Sequence, residues 1–163
     1  MTIAANLGFP RMGSDRQLKW ALELHWRGEL DAAGLAATAA ELRRSHWLLQ
    51  RERGIERIPV GDFSLYDQVL DTSVMVGAIP EGYGWKGKGP VSLETYFAMA
   101  RGAEGGADCG HAHGDAPHGV AAQEMTKWFD TNYHYMVPEF RQGQRFTIGS
   151  RKPVDEINAQ IKP

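Results

Sequence analysis

The chain has 163 residues, 42% of them hydrophobic and 23% charged, with a formal net charge of −2. That is the length and balance of one ordinary globular domain, able to bury a core. Nothing global in the charge calls for nucleic acid or an anionic membrane, and a single cysteine excludes an internal disulfide framework.

In chain order, "TIAANLGF" over 2–9 reads as a short strand ending at Pro10. Ser14 or Asp15 is placed to cap a helix, in which Leu18, Ala21, Leu22 and Trp26 recur at helical spacing until Gly28. A second helix is expected over 31–53, with Asp31 as its cap and Leu35, Ala39, Leu42 and Leu49 as its apolar stripe. "IERIPVGDF" reads as a strand, and 64–80 as a helix stopped by Gly77 and Pro80. A Gly-rich loop over 81–91 leads to a helix over 92–102, with Ser92 and Thr95 at its start. Residues 102–119 read as loop, "NYHYMVPEF" as a strand, "RFTIG" as a further short strand, and "VDEINAQIK" as a helix. The alternation of strands and helices predicts an α/β fold with mainly parallel strands. Three or four strands are too few for a closed eight-stranded barrel, which leaves a small open sheet or a piece of a barrel.

No run approaches the roughly 18 apolar residues of a membrane span. The N-terminus lacks the basic start and apolar core of a signal peptide, so a cytoplasmic location is the expectation. The Gly-rich "GYGWKGKG" matches no phosphate-binding or nucleophile motif.

Ligands of α/β folds gather at the carboxyl ends of strands, and three segments carry unusual chemistry there. In "GFPRMGSDRQLK", Arg11, Arg16 and Lys19 crowd the positive end of a helix dipole. They read either as a site for carboxylates or phosphates or as a solvated face. In "VGDFSLYDQ", Asp62 and Asp67 flank Phe63 and Tyr66, and Asp62 is either a helix cap or a site residue. In "EMTKWFDTNYHY", Trp128, Phe129, Tyr133 and Tyr135 serve either a core or a site. Lys127 and Asn132 among those aromatics are harder to assign to packing, because a buried polar group needs a partner. A ligand with an aromatic ring and a charged tail suits both kinds of residue. The stretch with Cys109, His111, His113 and His118 offers zinc ligands by type, without the spacing of a zinc finger. These are weak metal candidates.

"LGFPRMG", "RQLKWALE", "DQVLDTSVMVGAIP", "YFAMARG" and "EMTKWFDTNYHYMVPEF", in this order, resemble the N-terminal region of cobalamin-independent methionine synthases over residues 6–158. The resemblance implies an incomplete (β/α)8 barrel of the TIM type: its first three or four strands with flanking helices. On that reading residues 1–163 are the N-terminal part of the folate-binding barrel. It implies methyl transfer from 5-methyltetrahydrofolate polyglutamate to homocysteine by the whole enzyme. It implies folate polyglutamate contacts at Arg16, Gln17, Leu18, Lys19, Lys127 and Asn132. Gln17 departs from the glutamate usual in the family, a change that removes negative charge from an anion site. The family's catalytic zinc belongs to the C-terminal barrel, whose ligands are absent from this sequence. The expectation is that this chain alone transfers no methyl group. The alternative is a short, non-catalytic paralogue that binds folate or a protein. A partial barrel also leaves edges and apolar faces uncovered, so self-association is expected.

Overall fold

A computed structural model describes residues 2–103 and 119–161. Among them are five α-helices and one two-stranded sheet, a mixed α/β architecture divided into two units. The first unit comprises 1–65 with 152–163, the second 66–151. No described helix is long and apolar enough to cross a membrane.

In the first unit, α1 (Gln17–Trp26) packs on α2 (Ala32–Glu52). Leu18, Ala21 and Leu22 of α1 are buried, as are Leu35, Ala39 and Leu42 of α2. Asp31 caps α2 as expected, its carboxylate accepting the Gly34 N–H at 2.7 Å. The buried stripe of α2 continues through His46 and Gln50, whereas Leu49 is exposed. One residue is a 100° step around a helix, and Leu49 falls on the wrong side of that step. Gln50 is tolerated inside because it accepts from Asn6 Nδ2 at 2.8 Å and donates to the His46 carbonyl at 3.1 Å. α5 (Lys152–Ile161) belongs to the same unit.

The cap of α1 differs from expectation. Arg16, not Ser14 or Asp15, is its N-cap residue, in the left-handed region at φ 58° and with no side-chain cap bond. The Ser14 hydroxyl donates instead to the Asp15 carboxylate, and Asp15 in turn bonds with Gln17.

The two strands expected in this unit reduce to a single parallel bridge, Ala5 to Arg57. The Ala4 carbonyl accepts from the N–H groups of Glu56 and Arg57 at 2.9 and 3.1 Å. Parallel strands are normally buried on both faces, yet Ile3 and Leu7 here are exposed. The pairing does not extend into a ladder.

In the second unit, α3 (Gln68–Met75) starts at Asp67, later than the sequence suggests. It ends at Gly77, whose φ is 68°. A Cβ there would lie 2.6 Å from the Thr147 carbonyl, so glycine serves both the turn and the close approach. "RFTIG" forms no strand. Its backbone caps α3 instead, with Thr147 N–H donating to Val76 O and Gly149 N–H to Met75 O. A 3₁₀ turn at Glu81–Tyr83 precedes α4 (Leu93–Arg101), which Ser92 caps. Tyr96, Phe97, Met99 and Ala100 of α4 are buried with Leu70 and Val74 of α3. The Tyr96 hydroxyl donates to Asp71 at 2.6 Å and accepts the Tyr66 N–H at 3.0 Å. Burial, then the charge of Asp71, pushes its ionisation far above the usual tyrosine range.

β1 (Met125–Lys127) and β2 (His134–Met136) pair antiparallel, with Lys127 opposite His134. This corrects the expectation of mainly parallel strands. The expected strand over 132–140 shrinks to the three residues that pair with β1.

Candidate functional site

The predicted binding residues fall in two places, one per unit. In the first unit, Arg16, Gln17 and Lys19 sit where the chain enters α1. Arg16 and Lys19 are exposed, and Lys19 Nζ lies 5.0 Å from the Trp20 ring centroid. The first turn of α1 holds no acidic residue. Two exposed cations thus lie in and beside the first turn of a helix without a side-chain cap, the polarity that suits an anion. Gln17 accepts the Asp15 N–H at 3.1 Å and closes the turn. Leu18 is fully buried in the core, so its side chain cannot touch a ligand. Arg11 does not join this cluster. Its guanidinium donates to the carbonyls of Ser64 and Leu65 at 2.9 and 3.0 Å, which fixes that segment.

Asp62 is not a helix cap. It accepts the Phe9 N–H at 2.9 Å. Beside it, His46 packs against Phe9 and Phe63, with ring centroids 4.7 and 6.3 Å away. Burial pulls the His46 pKa below its ordinary value, and the Asp62 charge opposes this in part.

In the second unit, Asp67 organises the aromatic segment. It is buried, and one carboxylate oxygen accepts the Leu70 N–H at 2.9 Å and the Met136 N–H at 3.1 Å. The other accepts the Tyr133 hydroxyl at 2.5 Å. One side chain thus caps α3 and ties down β2 and the hairpin loop. The loop closes through Trp128 N–H to the Tyr133 carbonyl at 2.8 Å. Inside it, Thr131 accepts the Tyr133 N–H and donates to the Trp128 carbonyl. Phe129 at φ 50° makes the tight turn possible.

The aromatics are not core. Trp128, Phe129 and Tyr133 are exposed, and Trp128 meets Phe129 and Tyr135 edge-on. Trp128 and Tyr133, with Gln68, Val69 and Thr72 of α3, line a depression of 410 Å³. Their chain neighbours Lys127 and Asn132 are exposed too, so neither carries the buried-polar cost that drew notice in the sequence. Among the described residues neither side chain has a hydrogen-bond or ion-pair partner. Asp67 was singled out in the sequence beside Asp62, but the cap role was offered to Asp62 and none to Asp67. An aspartate one position before a helical run is a cap signal, and it was legible as that, but not as an anchor for a segment 66 residues later.

Cys109, His111, His113 and His118 lie outside the described residues. Among the described residues no group of three or more His, Cys, Asp or Glu side chains could hold a metal ion. The described part therefore does not fit a zinc centre.

Residues 3–162 match the family model described as the N-terminal domain of cobalamin-independent synthase. The chain belongs to this family, as the motifs in its sequence suggested. Among its relatives, a 5-methyltetrahydropteroyltriglutamate–homocysteine methyltransferase of Rhodopseudomonas palustris is 63% identical over 158 residues, covering 93% of this chain and 20% of the relative. Proteins of the same name from Nitrobacter winogradskyi and Caulobacter vibrioides are 60% and 57% identical, covering 93% and 96% of this chain and 20% and 21% of themselves. The chain thus spans about a fifth of the length of the curated relatives it matches.

Proposed function

We propose that residues 1–163 are the N-terminal part of a folate-binding (β/α)8 barrel in a cytoplasmic, cobalamin-independent methionine synthase. The whole enzyme would move the methyl group of 5-methyltetrahydrofolate polyglutamate to homocysteine. This chain's share is binding the folate. The parallel bridge between 2–9 and 55–63 supports the barrel reading, since parallel pairing of successive segments is how such a barrel begins.

One observation carries the binding reading. Among the described residues, the non-glycine residues with positive φ are Arg16 and Phe129. One lies in each segment expected to contact folate. Such backbone costs of order 1–3 kcal/mol per residue and persists where the surroundings impose it, often at ligand sites. At Arg16 it places a cation beside an uncapped helix start. At Phe129 it shapes the loop that carries Trp128 and Tyr133 to the depression. Arg16, Gln17 and Lys19 would meet tail carboxylates in the first unit. Leu18 would contribute through its backbone alone. In the second unit, Lys127 and Asn132 would serve as polar contacts beside an aromatic wall.

Lys127→Ala and Lys19→Ala are each expected to weaken binding of a triglutamyl folate roughly two- to fivefold at low salt, the scale of an exposed charge pair. Monoglutamyl folate should be affected less. Calorimetry of the chain with both folates tests this, and equal losses for the two would sink the tail-binding role. A non-catalytic paralogue would share this binding, so the same measurement holds for either reading.

Self-association remains a proposal as well. It is supported by the exposure of Phe140, Phe146 and Ile148 in the second unit. Sedimentation velocity should show a concentration-dependent increase in mass. A single monomeric species over a hundredfold concentration range would refute it.

A further inference from the structure

One cavity in the first unit is remote in sequence from both predicted folate segments. It measures 480 Å³ and lies along one face of α2, bounded by Ile58 and by Ala159 of α5. Arg44, Trp47 and Arg51 line it at spacings of three and four residues, which puts all three on one helical face. Trp47 and Leu48 are half-buried and supply apolar wall. Arg43, also in the lining, is already engaged. Its guanidinium stacks 5.3 Å from the Phe63 centroid and lies 3.7 Å from the Glu156 carboxylate. Arg44 and Arg51 differ: among the described residues neither has an ion-pair or side-chain hydrogen-bond partner. Among the described residues that line it, none is acidic.

We propose that this cavity binds a small planar aromatic anion, a ring bearing a phosphate or a carboxylate. The ring would stack on Trp47 against Leu48 and Ile58, and the guanidinium groups of Arg44 and Arg51 would hold the anionic group. Each guanidinium offers a planar fork of donors that matches either oxyanion and also stacks on a ring. The volume is that of an ordinary small-ligand pocket. A bare inorganic anion would leave the indole wall unused. A neutral ring would leave two cations unpaired at its rim.

The test uses the full chain with 2-naphthyl phosphate, 2-naphthoate, inorganic phosphate and 2-naphthalenemethanol, titrated calorimetrically. The two aryl anions should bind saturably at one site, and their ratio says which head group is preferred. Inorganic phosphate and the neutral alcohol should bind at least about tenfold more weakly, the loss expected for one charge-assisted contact or one stacked ring. Arg44→Ala with Arg51→Ala should weaken the aryl anions about tenfold or more, and Arg44→Lys with Arg51→Lys should recover part of it. Trp47→Leu should abolish the preference for aryl phosphate over inorganic phosphate. Both arginines are exposed helix positions where alanine is well tolerated, so these variants should keep the wild-type circular dichroism. Triglutamyl folate affinity should not change in the double-alanine variant. Absence of saturable aryl-anion binding, equal binding by that variant, or a parallel loss of folate would each overturn a separate site.

Discussion

Replacing Asp67 with alanine should cost the second unit about 2–4 kcal/mol. The figure combines roughly 1 kcal/mol for a lost helix cap with roughly 1–3 for a buried N–H left without an acceptor. Asp67 is buried and accepts from Leu70 N–H, Met136 N–H and the Tyr133 hydroxyl. Alanine removes both acceptor oxygens while leaving the three donors in place. Amide exchange should quicken most at Leu70 and Met136. Tyr133→Phe keeps the cap and the Met136 bond, so it should cost only about 1 kcal/mol. Because Tyr133 lines the depression beside α3, Asp67→Ala should also weaken the proposed folate binding. Unchanged protection at both amides would show that Asp67 does not anchor the hairpin.

Glu156 anchors the first unit in a comparable way. It sits on α5, is buried, and accepts the Gly61 N–H through Oε2 at 2.7 Å. Its Oε1 makes no hydrogen bond, but it lies 3.7 Å from Arg43 Nε and 3.6 Å from Lys152 Nζ. Those two contacts are charge pairs without hydrogen-bond geometry. Lys152 also donates to the Phe63 carbonyl, so α5 is fastened to segment 61–63 by two side chains. Breaking a fully buried pair costs roughly 3–5 kcal/mol. The cations here are partly exposed and screened, so Glu156→Ala should cost about 2–3 kcal/mol. Glu156→Gln retains an acceptor for Gly61 and should lose less, about 1 kcal/mol. Urea unfolding with exchange read at Gly61 separates the two. Equal costs for both variants would mean the charge pairs contribute everything and the Gly61 bond nothing. The alanine variant should also loosen Ala159 against the arginine-lined cavity and weaken aryl-anion binding there.

The helices were largely legible in the sequence. Asp31 and Ser92 announce themselves as caps, because a short oxygen-bearing side chain before an apolar run satisfies the first free N–H groups. Gly28 and Gly77 mark helix ends and do adopt positive φ. The strands were the weakest part. Their pairing depends on residues far away along the chain, and a short apolar run does not say whether a partner exists. "RFTIG" is apolar and alternating, yet its backbone bonds go to the end of α3. Residues 2–9 have a parallel neighbour but only one bridge.

The candidate binding segments stood out by residue type, and their environment was misread. Lys127 and Asn132 drew attention because a buried polar group needs a partner. They are exposed, and the aromatics beside them are exposed too. Leu18 stood within a binding motif, and its side chain belongs to the core.

By itself, the sequence determined the family, the existence and rough place of the helices, and the segments that hold unusual chemistry. These follow from local spacing, capping and motif order, all of which act within a few residues. Only the tertiary structure decided that Asp67 reaches Tyr133 and Met136, that Arg11 serves the backbone at Ser64, and that Arg44, Trp47 and Arg51 share a cavity with α5. Those juxtapositions join residues tens of positions apart, and chain folding sets them through burial and hydrogen-bond satisfaction that no local pattern encodes.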